Sequence, residues 1–66
     1  MEQKIFAEKK IKCSESTWSL VLSGKRNLSY RLAKKASKFL GTEIDIWINP
    51  NTPVKKRREA WENFNK

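Results

Sequence analysis

Histidine is absent from this 66-residue chain, and cysteine occurs once, at Cys13. Without histidine there is no ordinary general base near neutral pH, and the common zinc-ligand sets cannot form. A single cysteine excludes an internal disulfide, and Cys13 has no imidazole to activate it as a nucleophile. Glycine is limited to Gly24 and Gly41, too few for a phosphate-cradling loop. Acidic residues number seven against fifteen Lys and Arg, and they are scattered among basic neighbours. No long apolar run follows the polar residues 1–4, which argues against a signal peptide or a membrane span. The chain is therefore expected to be a cytoplasmic non-enzyme, without metal or cofactor.

What remains is charge and helical periodicity. The net charge of +8 favours a polyanionic partner. A chain this short buries only about 60% of the surface its unfolded form exposes, so one thin-cored domain over residues 1–66 is expected. With disulfides and zinc excluded, helix packing and self-association must supply its stability.

Turn signals divide the chain into short segments that read as all-α. The first, about Gln3 to Lys10, carries Ile5, Phe6, Ala7 and then Ile11 on a weak stripe. The second is Glu15 to Ser23. Ser14 is its N-cap and Gly24 its terminator, while Trp18, Val21 and Leu22 share an apolar face. The third is Tyr30 to Leu40, capped by Ser29 and ended by Gly41, with Leu32, Ala33, Ala36, Phe39 and Leu40 facing inward. In Glu43 to Ile48, Ile44, Ile46 and Ile48 alternate at strand period. A lone strand has nothing to pair with, so a short helix capped by Thr42 is expected. Asn49 to Thr52 is a turn. Thr52 then caps a last helix, about 53–64, with Pro53 at its first position and Val54, Ala60, Trp61 and Phe64 inward.

The stretch from Cys13 to Arg26 is the informative one. Ser16, Ser19, Leu20 and Ser23 fall opposite the apolar face of the second helix. A merely solvated face normally carries Lys, Glu, Gln and Arg, which are better helix formers than serine. Small polar groups make sense where another surface approaches closely, as in the DNA major groove. Serine can bond several base edges, and Leu20 suits a thymine methyl. Lys25, Arg26, Asn27 and the Ser29-capped helix start then offer donors to phosphates.

On these residues, Ser14 to Ile48 resembles the lambda-repressor-like, Cro-type helix-turn-helix family. The likeness lies in the Ser14-capped helix with Ser19 after Trp18, and in the turn Ser23-Gly24-Lys25-Arg26. It continues in Leu32-Ala33-Lys34-Lys35-Ala36, in Leu40-Gly41 and in Trp47. Gln3-Lys4-Ile5-Phe6-Ala7 resembles the opening of the preceding helix. The resemblance implies a five-helix domain whose helix-turn-helix spans about 3–23, with residues 15–23 as recognition helix. It puts Ser14, Glu15, Ser16, Ser19 and Leu20 at base edges, and Gln3, Lys4, Lys25, Arg26, Asn27 and Ser29 on phosphates. Two features depart from the pattern. The link from Ala7 to Trp18 is one residue longer, and the helix that normally precedes Gln3 is missing. The C-terminal helix is expected to cover the exposed core through Val54, Trp61 and Phe64.

The expected function is that of a small phage-type or bacterial transcriptional regulator on double-stranded DNA, homodimeric at least on DNA. An antitoxin of a toxin–antitoxin pair, with a protein partner, is a close alternative. A basic RNA- or nucleoid-binding protein held by charge alone is another. The run Lys55-Lys56-Arg57-Arg58 reads either as a further phosphate contact or as a solvated face paired with Glu59 and Glu62.

Overall fold

Serine hydroxyls and left-handed glycines set the ends of the two central helices. Ser14 accepts the Thr17 amide at 3.1 Å and so caps α2 (Glu15–Leu22). Ser29 does the same for α3 (Tyr30–Leu40), accepting the Leu32 amide at 3.4 Å. Beyond α2 the chain turns at Gly24, with φ +76°, and beyond α3 at Gly41, with φ +68°. The amides of Gly41 and Thr42 both return to the Ser37 carbonyl, which satisfies the helix end. These boundaries fall where the sequence puts them because capping is local chemistry.

The computed structural model describes residues 1–65, with five α-helices and no strand among them. The first, α1 (Gln3–Ile5), runs directly into a π-helical segment (Phe6–Lys10). There the Ile11 amide reaches back five residues to the Phe6 carbonyl, at 3.1 Å. A π turn fits one more residue into the same helical advance than an α turn does. Phe6, Ala7 and Ile11 are thereby all buried.

The remaining helices start later than the sequence suggests. Helix α4 (Asp45–Ile48) has no side-chain cap: Ile44, not Thr42, occupies the capping position. The Thr42 hydroxyl accepts from Trp47 Nε1 at 2.9 Å instead. Helix α5 (Val54–Phe64) likewise lacks a side-chain cap: Pro53 occupies the capping position, and Thr52 does not serve. Val54 is exposed rather than core, although its methyl lies against the turn at Gly24.

Helix α5 covers the N-terminal segment through Trp61 and Phe64. Phe6 is the hub, with its ring centre 4.9 Å from Trp18, 5.0 Å from Trp61 and 5.5 Å from Phe64. Trp18 in turn meets Trp47 at 5.2 Å and Trp61 at 5.7 Å. Trp18 Nε1 is buried with no hydrogen-bond partner among the described residues. That omission costs about 1–3 kcal/mol. Burying about 200 Å² of indole at about 25 cal/mol per Å² outweighs it.

One polar residue is fully interior. Arg57 of α5 is 1% exposed. Its Nε donates to Ile46 O at 2.8 Å, and Nη1 to Val21 O and Arg26 O at 2.9 and 3.0 Å. Nη2 donates to Asn27 Oδ1 and Asn49 O at 2.8 and 3.1 Å. All the N–H donors a guanidinium has are thus used, every one on a neutral oxygen. Val21 O and Ile46 O are carbonyls at the C-terminal ends of α2 and α4, where a helix lacks internal donors and carries partial negative charge. Burial lowers the Arg57 pKa from its ordinary value. Arg57 is therefore neither a phosphate contact nor part of a solvated face, as the run 55–58 suggests. Only its neighbours follow that reading: Lys55 lies 3.8 Å from Glu59 across an exposed helical turn.

Candidate nucleic-acid interface

Helix α2 divides cleanly into two faces. Trp18, Val21 and Leu22 are buried, while Glu15, Ser16, Ser19 and Leu20 are exposed. Leu20, at 39% exposure, is a leucine with no core role. Gln3, at the start of α1, joins these four around a shallow, open depression of about 450 Å³. Four of the five residues expected at base edges thus share one surface with a residue expected on phosphate. That surface combines hydroxyls that both donate and accept, a carboxamide, a carboxylate acceptor and one aliphatic group. Such a mixture can match the edges of bases.

Ser14 differs from the other serines. Its hydroxyl donates to Thr17 Oγ1 at 2.8 Å while accepting the Thr17 amide, so its proton is spent inside the chain. Its work is to cap α2. Ser23 donates to Ser19 O at 2.6 Å. The hydroxyls of Ser16 and Ser19 make no hydrogen bond among the described residues. Glu15 stands in the first turn of α2, where the helix dipole favours a negative charge.

The loop between α2 and α3 holds the expected phosphate contacts. Lys25, Arg26, Asn27 and Ser29 are all exposed, as is Lys4 on α1. Asn27 has given its side-chain oxygen to Arg57. Ser29 uses its oxygen as an acceptor for the Leu32 amide, which leaves its hydrogen for an outside acceptor. Arg26 carries its charge close to Cys13. Burial pushes the Cys13 thiol up, and Arg26 offsets only part of that, so the thiol is a poor nucleophile.

The loop keeps its shape through residues distant in sequence. Leu28 is buried and its amide donates to Trp47 O at 2.9 Å. Arg57 holds the loop at Arg26 O and Asn27 Oδ1. Arg57 is the residue that sequence reasoning misassigned. The available signal was its spacing, three residues before Ala60, four before Trp61 and seven before Phe64, which puts it on the stripe that faces the core.

Comparison with protein-family models, with curated proteins and with solved structures found no match to this chain.

Proposed function

We propose that this protein binds double-stranded DNA in a sequence-specific manner, as a small transcriptional regulator that lays α2 in the major groove. In this reading α1 with its π-helical extension and α2 form a helix-turn-helix. Ser16, Ser19, Leu20 and Glu15 read base edges, and Gln3, Lys4, Lys25, Arg26, Asn27 and Ser29 fix the register on phosphates. The observation that carries the reading is the exposed face of α2. It is capped and anchored by three buried side chains, yet it presents small groups with no internal partners.

The charge of +8 supports the same conclusion, since it favours approach to DNA at any sequence. Charge alone does not need a serine-bearing helix. One subunit offers few base contacts, so useful discrimination requires two copies on half-sites about one helical turn apart.

Selection of binding sites from random duplex DNA tests this, with a Ser16→Ala/Ser19→Ala variant selected in parallel. The wild type is expected to enrich a short palindromic motif that the variant fails to enrich. Retention of nucleic acid at low salt with no enriched motif would show binding by charge alone. Light scattering of the complex is expected to find two chains per site.

A further inference from the structure

The chain has a second opening, which the DNA-binding face does not use. Lys10 of the π segment and Lys35, Lys38 and Phe39 of α3 line a depression of about 520 Å³. It shares no lining residue with the depression on α2. Phe39 is the anomaly in it. The helical stripe of α3 predicts Phe39 inward, yet it is 43% exposed, while the other phenylalanines and all three tryptophans are buried or half-buried. It packs edge-to-face with Phe6, ring centres 6.1 Å apart, which ties it to the core. Lys10 Nζ stands 5.9 Å from its ring centre. Lys35 is one helical turn before Phe39, and Lys38 is its neighbour.

We propose that this groove seats an acidic segment of a partner protein. One aliphatic side chain of the segment lies against the exposed part of Phe39, and flanking carboxylates meet Lys10, Lys35 and Lys38. The charge of the lining selects the occupant. Three ammonium groups around an apolar floor, with no carboxylate among the lining residues, call for a ligand that is anionic at its edges and apolar at its centre. A second copy of a chain carrying +8 is opposed by its own charge. Duplex DNA brings phosphates at its rim, while its apolar methyls lie on the floor of the major groove, away from the backbone that would meet the lysines. A base of single-stranded nucleic acid needs the open face of a ring to stack on. Here the Lys10 ammonium stands over one face of the ring, and an aliphatic anchor needs only the part of Phe39 left exposed. An acidic peptide with one apolar anchor satisfies both the floor and the rim. Its attraction is largely electrostatic, so binding is fast and salt-sensitive. The inference does not rest on DNA binding by α2.

The test uses the full chain and three fluorescent probes. One is a short Asp/Glu peptide with a single central leucine, one is the same peptide with serine at the centre, and one is a short oligothymidylate. Anisotropy at low salt is expected to show the leucine peptide bound at least about tenfold more tightly than its serine version, the effect of burying one leucine. Lys35→Glu/Lys38→Glu is expected to weaken the leucine peptide at least about tenfold while its thermal unfolding matches wild type. Amide shifts on binding should centre on residues 10 and 35–39. Equal affinity for the two peptides overturns the proposal, because charge alone would then explain the attraction. So does tighter binding of the oligothymidylate with shifts at Phe39, which would make the groove a nucleic-acid seat. Shifts centred on α2, or no peptide binding at low salt, overturn it as well.

Discussion

Helices α2 and α5 both turn one stripe to the core, but they use their polar residues in opposite ways. In α2 the inward side is wholly apolar, and the outward serines at 16 and 19 have no internal work. In α5 most of the surface is exposed, while its one buried residue is an arginine. Lys25 and Arg26, just past α2, keep their side chains in solvent. Arg57, with the same charge, is sealed among carbonyl oxygens. The difference shows that a basic run does not say where its charge acts. The register of each residue against the apolar stripe decides that, together with which helix ends lie nearby with carbonyls to satisfy.

Removing the buried arginine is the most severe way to separate the two helices. Arg57→Ala leaves Ile46 O, Arg26 O and Asn27 Oδ1 without a donor among the described residues, and takes one donor each from Val21 O and Asn49 O, which keep the amides of Gly24 and Thr52. Buried acceptors left without a donor cost about 1–3 kcal/mol each, which together comes to several kcal/mol. A domain of this size rarely has more than about that to lose. Circular dichroism at room temperature is expected to show a largely unfolded chain. Arg57→Lys keeps the charge with three donors in place of five and should be intermediate. Should Arg57→Met melt with the wild type, α5 is held by Trp61 and Phe64 alone, and the guanidinium network is incidental.

The two helices meet at Gly24, which gives the next largest effect. A Cβ there would stand 2.5 Å from Val54 Cγ2, at a φ of +76°. A left-handed non-glycine residue costs about 1–2 kcal/mol, and overpacking typically adds about 1–3 kcal/mol. Gly41 has nothing within 4 Å, so Gly41→Ala should lose only the first of these. Urea titration is expected to find Gly24→Ala less stable than Gly41→Ala, and Gly24→Ala/Val54→Ala to recover part of the gap. Equal losses for both alanines would mean that α5 can shift away from the turn without cost.

The boundaries of α2 and α3 were legible because Ser14, Gly24, Ser29 and Gly41 act on amides and carbonyls within a few residues of themselves. Thr42 and Thr52 have the same chemistry and misled, since Trp47 takes the Thr42 hydroxyl and α5 begins beyond a proline. The π turn at Phe6 was legible only as a spacing one residue too long, with no residue type to announce it. Arg57 was not legible as a charge at all, because three of its five acceptors lie 30 or more residues away. The outward position of Ser16, Ser19 and Leu20 was legible from helix periodicity alone, whereas the surface they share with Gln3 and Glu15 depends on how α1 packs beside α2. Ser14 was placed at base edges although its hydroxyl serves the helix, a distinction that depends on where Thr17 points.

Lys25 and Arg26 should behave as the reverse of Arg57. Their side chains are exposed and make no hydrogen bond among the described residues; internally only their backbones serve, the Lys25 amide donating to Leu20 O and the Arg26 carbonyl accepting from Arg57. Lys25→Ala and Arg26→Ala are each expected to change stability by less than about 0.5 kcal/mol. On duplex DNA, each should reduce the slope of log affinity against log salt by about 0.9, the counterion equivalent of one phosphate contact. An unchanged slope with weakened binding would move these residues off the phosphates.

The smallest effect on stability is the sharpest on function. Ser16 and Ser19 stand in an exposed helix face without hydrogen bonds of their own, and alanine is the better helix former by up to about 0.7 kcal/mol. Ser16→Ala and Ser19→Ala should therefore raise the melting temperature slightly or leave it unchanged. Ser14→Ala, two residues upstream, should lower it, because loss of a cap costs about 1 kcal/mol. Affinity for a selected DNA site is expected to show the opposite pattern. Ser16→Ala or Ser19→Ala loses discrimination at single base pairs while gaining stability, and Ser14→Ala loses affinity only to the extent that α2 frays. Two serines whose removal strengthens the fold and weakens recognition would be working for an outside partner. If all three alanines lower stability and affinity in proportion, the serines of α2 belong to the helix, and the bases are read by another part of the surface.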